Sequence, residues 1–227
     1  ASDVYKRQFY TNIRSTKAVY DIQFGHAERP THWNTSWDWA RYEVCGHKWA
    51  DLSENGYGVS LLNDCKYGYS IKDNAVKLSL LKSAVYPDTT ADKGVHEFIY
   101  SLYPHIGDVT EGGTIEAANQ LNLPAQVVSG VFTDWRKLVE VSSDCVQIDA
   151  VKKAEEEDCL IVRLHECRGG RRKVTLTSQF DVKRIVPCNL LEHDSGEAVE
   201  GSKVSFEVTP FMIKTFNCIC KSGEKGS

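Results

Sequence analysis

Hydrophobic and polar residues alternate with a period of two along most of this chain. Val76, Leu78 and Leu80 alternate with Lys77 and Ser79; Leu160, Val162 and Leu164 alternate with Ile161, Arg163 and His165; Val204, Phe206 and Val208 alternate with Ser205, Glu207 and Thr209. Successive side chains of a strand point to opposite faces, so one set meets a core and the other meets solvent or a second layer. Strands are predicted over 19–24, 57–62, 67–71, 75–82, 95–103, 159–167, 173–179, 182–191 and 211–220. Turn residues separate them. Lys72-Asp73-Asn74 is expected to close a hairpin between 67–71 and 75–82, because Asp and Asn tolerate left-handed backbone. Arg168-Gly169-Gly170 is expected to do the same between 159–167 and 173–179, and Asn55-Gly56 precedes 57–62.

One segment reads as helix: Thr114 stands in a capping position ahead of 115–121, which stops before Leu123-Pro124. The stretch 136–158 fits neither period, and its Glu155-Glu156-Glu157-Asp158 run reads as a solvated loop. Many short strands with little helix argue for an all-β fold of the β-sandwich class. The expected organisation is a main sandwich over 9–144 and a smaller closing β subdomain over 145–220. Ala1 to Gln8 read as a non-native or frayed leader and 221–227 as a polar tail. Since Ala1 is not a Met, the chain is read as a fragment that enters its protein midway.

Composition narrows the function classes. A length of 227 residues, 41% hydrophobic and 26% charged with mean hydropathy −0.37, describes a globular chain able to bury one large core or two small ones. A net charge of −4 and a pI near 6.0 give no electrostatic case for nucleic acid as a partner. No run approaches the roughly 18 apolar residues of a membrane span, so no membrane partner is expected. The eight cysteines are Cys45, Cys65, Cys145, Cys159, Cys167, Cys188, Cys218 and Cys220. An even count is compatible with disulfides, but most of them sit in apolar runs, which favours buried thiols in a reducing, cytoplasmic compartment. The Asn34-Thr35-Ser36 sequon matters only in a secreted chain.

Recognisable chemistry is sparse. Structural zinc wants four Cys or His ligands at close spacing, and neither Cys-x-x-Cys nor His-Glu-x-x-His occurs. Cys218-x-Cys220 and His165-x-Cys167 each place two donors on one strand face, and also read as ordinary core residues. There is no Gly-x-Ser-x-Gly elbow and no phosphate-binding glycine loop. The basic run 168–173 reads as a solvated tip. Trp33, Trp37, Trp39 and Trp49 fall within 17 residues, beside His32, Arg29, Asp38 and Arg41. Indole faces stack on the C–H faces of sugars; equally, large aromatics pin a long loop onto a sheet.

Several ordered motifs carry a resemblance. They are 23–26 (QFGH), 29–32 (RPTH), 34–41 (NTSWDWAR), 61–68 (LLNDCKYG), 78–81 (LSLL), 91–94 (ADKG) with 96–98 (HEF), and 103–105 (YPH), followed by 162–166 (VRLHE) and 210–214 (PFMIK). The chain resembles the C-terminal region of glycoside hydrolase family 38, in its cytosolic and vacuolar α-mannosidase branch. The resemblance implies a galactose-mutarotase-like supersandwich and a parent enzyme that hydrolyses terminal α-mannosides with retention. It implies zinc in the parent's catalytic domain, and no cofactor in this chain. The family's catalytic His-x-Asp strand end has no counterpart here, so neither nucleophile nor metal ligand carries over, and the chain alone is expected to be inactive. The implied partners are the N-terminal catalytic domain of the same parent and a mannose-containing oligosaccharide; a homo-oligomer belongs to the separate reading as an oligomerisation module. In the family, loops of this portion help wall the sugar pocket, and the polar loops at 63–67 and 88–94 are suited to that place, which makes Asp64, Tyr67, Asp92 and Lys93 the substrate-binding candidates; Asp92 and Lys93 also read as a surface ion pair of little energetic consequence. Two other readings stay open: a free-standing carbohydrate-binding module built on the tryptophan cluster, and a structural or oligomerisation module.

Overall fold

The structure is a computed structural model that describes residues 2–131, 137–179 and 181–220, with backbone alone for Ser2 and Asp3. The chain divides into two units, Ala1–Val128 and Ser129–Ser227. In the first, one antiparallel sheet has the order β1 (Ser2–Tyr10), β8 (Ala75–Ala84), β7 (Gly68–Lys72), β4 (Val44–Cys45). The other runs β3 (Gly25–Pro30), β2 (Lys17–Ile22), β5 (Trp49–Glu54), β6 (Tyr57–Asn63), β9 (Tyr100–Ile106). Tyr20, Ala50, Leu52, Val59 and Leu61 from the five-stranded sheet pack on Tyr69, Ile71, Val76 and Leu78 from the four-stranded one. Burying each of the larger of these side chains contributes about 1.5–3 kcal/mol.

The all-β expectation holds, and the alternating runs become strands where expected. Asp73-Asn74 joins β7 to β8 as a two-residue turn between paired Lys72 and Ala75, with Asp73 at φ 52°. Asn55-Gly56 joins paired Glu54 and Tyr57, with Gly56 at φ 84°. The 2–8 segment, expected to fray, lies within β1 and follows β8 from Ser2↔Ala84 to Tyr10↔Ala75. An edge strand needs only its ladder and one anchor; here the anchor is Phe9, packed against the core beside Tyr100. β9 begins at Tyr100, later than predicted, because 95–99 joins no ladder and Val95 is exposed. Thr114 is the first residue of α2 (Thr114–Asn122) and not its cap; Gly113, at φ 75°, takes that position without a side-chain bond. An unpredicted short helix, α1 (Ser36–Ala40), is held by a reciprocal capping box between Thr35 and Asp38.

The second unit is also a sandwich. One sheet has the order β10 (Val139–Val141), β13 (Arg172–Ser178), β16 (Lys203–Val208); the other has β11 (Val146–Lys153), β12 (Leu160–Glu166), β17 (Ile213–Cys220), β14 (Val182–Cys188), β15 (Val199–Glu200). Val174, Leu176, Val204 and Val208 meet Val162, Leu164, Ile185 and Phe216 between the layers. β10, ahead of the boundary expected at 144, pairs with β13 and so belongs to this unit. The expected hairpin across 168–170 is not formed. β12 pairs with β11 and β17, while β13 pairs with β10 and β16, so the glycine turn carries the chain from one layer to the other.

Glu166 explains that crossing. Its side chain is fully buried, and its carboxylate accepts the amides of Arg168 (3.0 Å), Gly170 (3.0 Å), Gly169 (2.8 Å) and Phe211 (2.9 Å). A buried carboxylate is tolerated only when donors surround it, and this turn supplies four. Replacing Glu166 with Ala leaves those amides without an acceptor, at about 1–3 kcal/mol for each that stays dry. We expect Glu166→Ala to lower the unfolding free energy of the second unit by several kcal/mol, read as a lower urea midpoint by circular dichroism, and Glu166→Gln to lower it less. An unchanged midpoint in both variants contradicts the assignment.

Candidate functional site

The candidate loops meet at one edge of the first unit. Buried Asn63, the last residue of β6, donates to the His47 carbonyl (2.8 Å) and to the Tyr69 hydroxyl, and its Oδ1 accepts the Lys66 amide (2.5 Å). These bonds pin the turn that carries Asp64 and Tyr67. Asp64 clasps the opposite loop at two points: its amide donates to the Ile99 carbonyl (3.1 Å) and its Oδ1 accepts the Ile99 amide (3.0 Å). Partial desolvation works to raise the Asp64 pKa, but the Cys65 thiol, the Ile99 amide and the Lys66 charge outweigh it and hold the carboxyl below 3.8. The Lys66 ammonium sits 4.8 Å from the centre of the Phe98 ring, and half-exposed Tyr67 meets His47 edge-on at 5.1 Å.

Asp92 and Lys93 lie farther along the same connection, on an exposed turn. Asp92 has φ 60°, its carbonyl accepts from His96 Nε2 (2.8 Å), and the Lys93 amide donates to the Thr90 carbonyl (3.1 Å). No ion pair joins Asp92 to Lys93 among the described residues, and no hydrogen bond or ion pair joins either to Asp64 or Tyr67. The structure therefore joins the two loops through Asp64–Ile99 and Lys66–Phe98, and leaves Asp92 and Lys93 presented to solvent.

A second polar group escaped sequence reasoning. His105 Nε2 lies 2.7 Å from Asp51 Oδ2, which also accepts from the Ser60 hydroxyl (2.7 Å); Ser60 meets Thr114 at 2.6 Å, and Ser53 donates to Asp51 Oδ1. Serine, histidine and aspartate in contact invite a nucleophilic reading. The geometry refuses it: Ser60 is wholly buried, Asp51 and His105 nearly so, and the serine proton goes to the carboxylate and not to an imidazole base. A Cβ on Gly58 or Gly112 would stand 2.3 Å or 2.2 Å from the His105 ring, so the histidine fills a slot that only glycine leaves open. The group ties β5, β6, β9 and α2 together. The only trace of it in the sequence is a cross-strand register, Asp51 opposite Ser60 and Gly58 opposite His105.

Two family models match the chain on either side of its middle. Residues 2–90 match the glycosyl hydrolases family 38 C-terminal domain, and residues 145–216 match the glycosyl hydrolases family 38 C-terminal beta sandwich domain. The chain belongs to the C-terminal region of glycosyl hydrolase family 38. It is 41% identical over 218 residues to alpha-mannosidase 2C1 of Homo sapiens, covering 92% of this chain and 21% of that protein. It is 43% identical over 222 residues to alpha-mannosidase G of Dictyostelium discoideum, covering 91% and 20%. In fold it matches the crystal structure of an alpha-mannosidase from Enterococcus faecalis V583 with a TM-score of 0.75 at 17% identity, over 94% of this chain and 25% of that one. The chain spans about a fifth of the length of the curated relatives it matches.

Within this family 38 region the tryptophans part company. Trp49 is buried in β5, while Trp37 and Trp39 on α1 stay exposed. No three His, Cys, Asp or Glu side chains gather into a metal-ligand set among the described residues. All eight cysteines are free thiols. Burial pushes Cys218 up to about 12 and Cys188 up to about 11, which suits packing and not nucleophilic attack.

Desolvation works to lower the His105 pKa, but the Asp51 hydrogen bond and charge outweigh it, and the group titrates above 6.5. A pKa raised on folding contributes stability that is fully present below the unfolded value and lost as pH climbs through the folded one. Melting of the first unit, followed by tryptophan emission, is expected at a lower temperature at pH of about 9 than at about 6, with Asp51→Asn removing that difference. A melting temperature independent of pH over that span contradicts the charged pair.

Proposed function

We propose that this chain is the non-catalytic C-terminal portion of a zinc-dependent, retaining α-mannosidase. In this reading it supports the catalytic domain and presents Asp64, Tyr67, Asp92 and Lys93 toward the mannoside pocket. The supporting observation is the match of nearly the whole chain, at 41–43% identity, to one fifth of two α-mannosidases. A retaining glycosidase needs a carboxylate nucleophile and an acid/base carboxyl about 5–5.5 Å apart, the acid held at a raised pKa. Asp64 is held ionised by its lowered pKa, so it carries no proton to donate as the general acid. Asp51 and Glu166 are sealed from substrate and committed to donors. The described residues do not fit a zinc ion, so no step runs through a metal in this chain. Both carboxyls and the metal come, in this reading, from the rest of the polypeptide.

What this chain supplies is position. Lys93 offers a cation and Asp64 an anchored anion at the rim of a sugar site, and Tyr67 offers an aromatic face beside them. The substrate is a mannose-containing oligosaccharide, and eight free thiols suit a cytoplasmic location.

A chimera tests this. Mouse alpha-mannosidase 2C1, 41% identical over 227 residues, would carry this chain in place of its own region. The chimera is expected to hydrolyse an aryl α-mannoside, with Lys93→Ala lowering kcat/KM by about tenfold, the loss of one charge-assisted hydrogen bond. The chain alone is expected to show no turnover with zinc added. Turnover by the chain alone, or a Lys93→Ala chimera indistinguishable from its parent, contradicts the reading.

A further inference from the structure

The connection between β8 and β9 covers 85–99 and holds no strand residue. Its base is tied to the β6–β7 turn by the Asp64–Ile99 clasp and by Lys66 against the Phe98 ring. Packing does not hold the tip, where Val95 is 93% exposed. Hydrogen bonds do. Asp88 Oδ1 accepts the Thr90 amide (2.8 Å) and hydroxyl (2.7 Å), and those bonds hold the Asp88 carboxyl below its usual range. The Ala91 amide donates to the Asp88 carbonyl (3.4 Å), and the Lys93 amide to the Thr90 carbonyl (3.1 Å). On the far side of Lys93, His96 Nε2 lies 2.8 Å from the Asp92 carbonyl.

The Asp88 and Thr90 contacts fix the chain as far as the Lys93 nitrogen and stop there. The bond from His96 spans 92–96 and closes a ring with Lys93 inside it. Two positions in that ring need support, since Asp92 at φ 60° and Gly94 at φ 146° stand on either side of Lys93. Asp enters the left-handed region at some cost, and Gly, free to take almost any φ, would otherwise let the chain swing. A carbonyl only accepts, so His96 carries a proton on Nε2 and donates it into the bond. That N–H belongs to one neutral tautomer and to the charged ring alike, so the bond survives titration of the imidazole.

A cationic side chain serves a substrate only if its backbone stays put: a misplacement of about 1 Å can cost on the order of a hundredfold in rate. We propose that His96 is the positioning residue of this loop, donating to the Asp92 carbonyl to fix the backbone that aims Lys93. The role rests on the reading of Lys93 as a group that faces the mannoside, and it gives His96 no proton transfer.

Two measurements test this. In the 227-residue chain, amide nitrogen relaxation is expected to give Lys93 and Gly94 order parameters of about 0.85, falling below about 0.6 in His96→Ala and recovering in His96→Gln, whose carboxamide N–H can replace the donor. In the mouse alpha-mannosidase 2C1 chimera, His96→Ala is expected to lower kcat/KM about tenfold, as Lys93→Ala does. The double variant falls no further, because His96 acts only through Lys93, and His96→Gln restores the rate with an unchanged pH profile. His96 is exposed, so its variants keep the fold. Amides at 93 and 94 that stay ordered in His96→Ala overturn the proposal, and so do losses that multiply in the double variant. A His96→Gln chimera that loses one limb of its pH profile overturns it too, by making His96 an acid or base. A Lys93→Ala chimera that matches its parent overturns the pocket-wall reading itself, whatever the amides do, and takes the purpose assigned to His96 with it.

Discussion

Asp51 and Glu166 lie in the interiors of the two units, and a carboxylate taken out of water destabilises a fold by several kcal/mol unless donors enclose it. Each is enclosed by the segments that would otherwise wander. Asp51 gathers Ser53, Ser60 and His105, and through Ser60 the start of α2. Glu166 gathers the backbone of the 168–170 turn and of Phe211, two stretches more than forty residues apart in sequence (45 between Glu166 and Phe211). The apolar layers supply most of the stabilisation in each sandwich, but they do not dictate where a connection goes. These two charges do, because a misplaced connection leaves an anion bare.

This arrangement divides the chain's polar residues into two kinds. The groups with the look of catalysis are buried, and Asp51, Ser60 and His105 Nε2 are committed to one another. The groups that remain available stand on loops and on a five-residue helix at the rim: Tyr67, Asp92 and Lys93 at one edge, Trp37, Trp39 and Arg41 at another. These edge side chains are the part of the first unit left open to meet another molecule.

Much of the fold was legible in the sequence. Alternation placed β8, β12 and β16, and Asp73-Asn74 placed the β7–β8 turn, because a hairpin is a local object whose signals lie within a few residues. The family 38 motifs led directly to the right architecture. What stayed hidden was non-local or weakly patterned. β1 is a polar edge strand with a single core anchor, so its alternation carries little signal. The 168–170 turn looked like a hairpin because its glycines permit one; only the burial of Glu166 reveals a crossing. His105 and Asp51 are 54 residues apart and meet through strand register that no short window contains. Of the candidate site, the Asp64–Ile99 clasp joins loops that the sequence could only mark separately, and α1 was too short for periodicity to register.

The claim that buried carboxylates fix the connections is tested most directly by amide hydrogen exchange, residue by residue. The amides of Gly169, Gly170 and Phe211 belong to no ladder, and loop amides normally exchange at the fast, locally open rate. If Glu166 holds them, they exchange as slowly as the ladder amides of β12 and open only when the second unit unfolds. Fast exchange at these three positions, with β12 protected, would show that the turn moves freely over its carboxylate and would contradict the account.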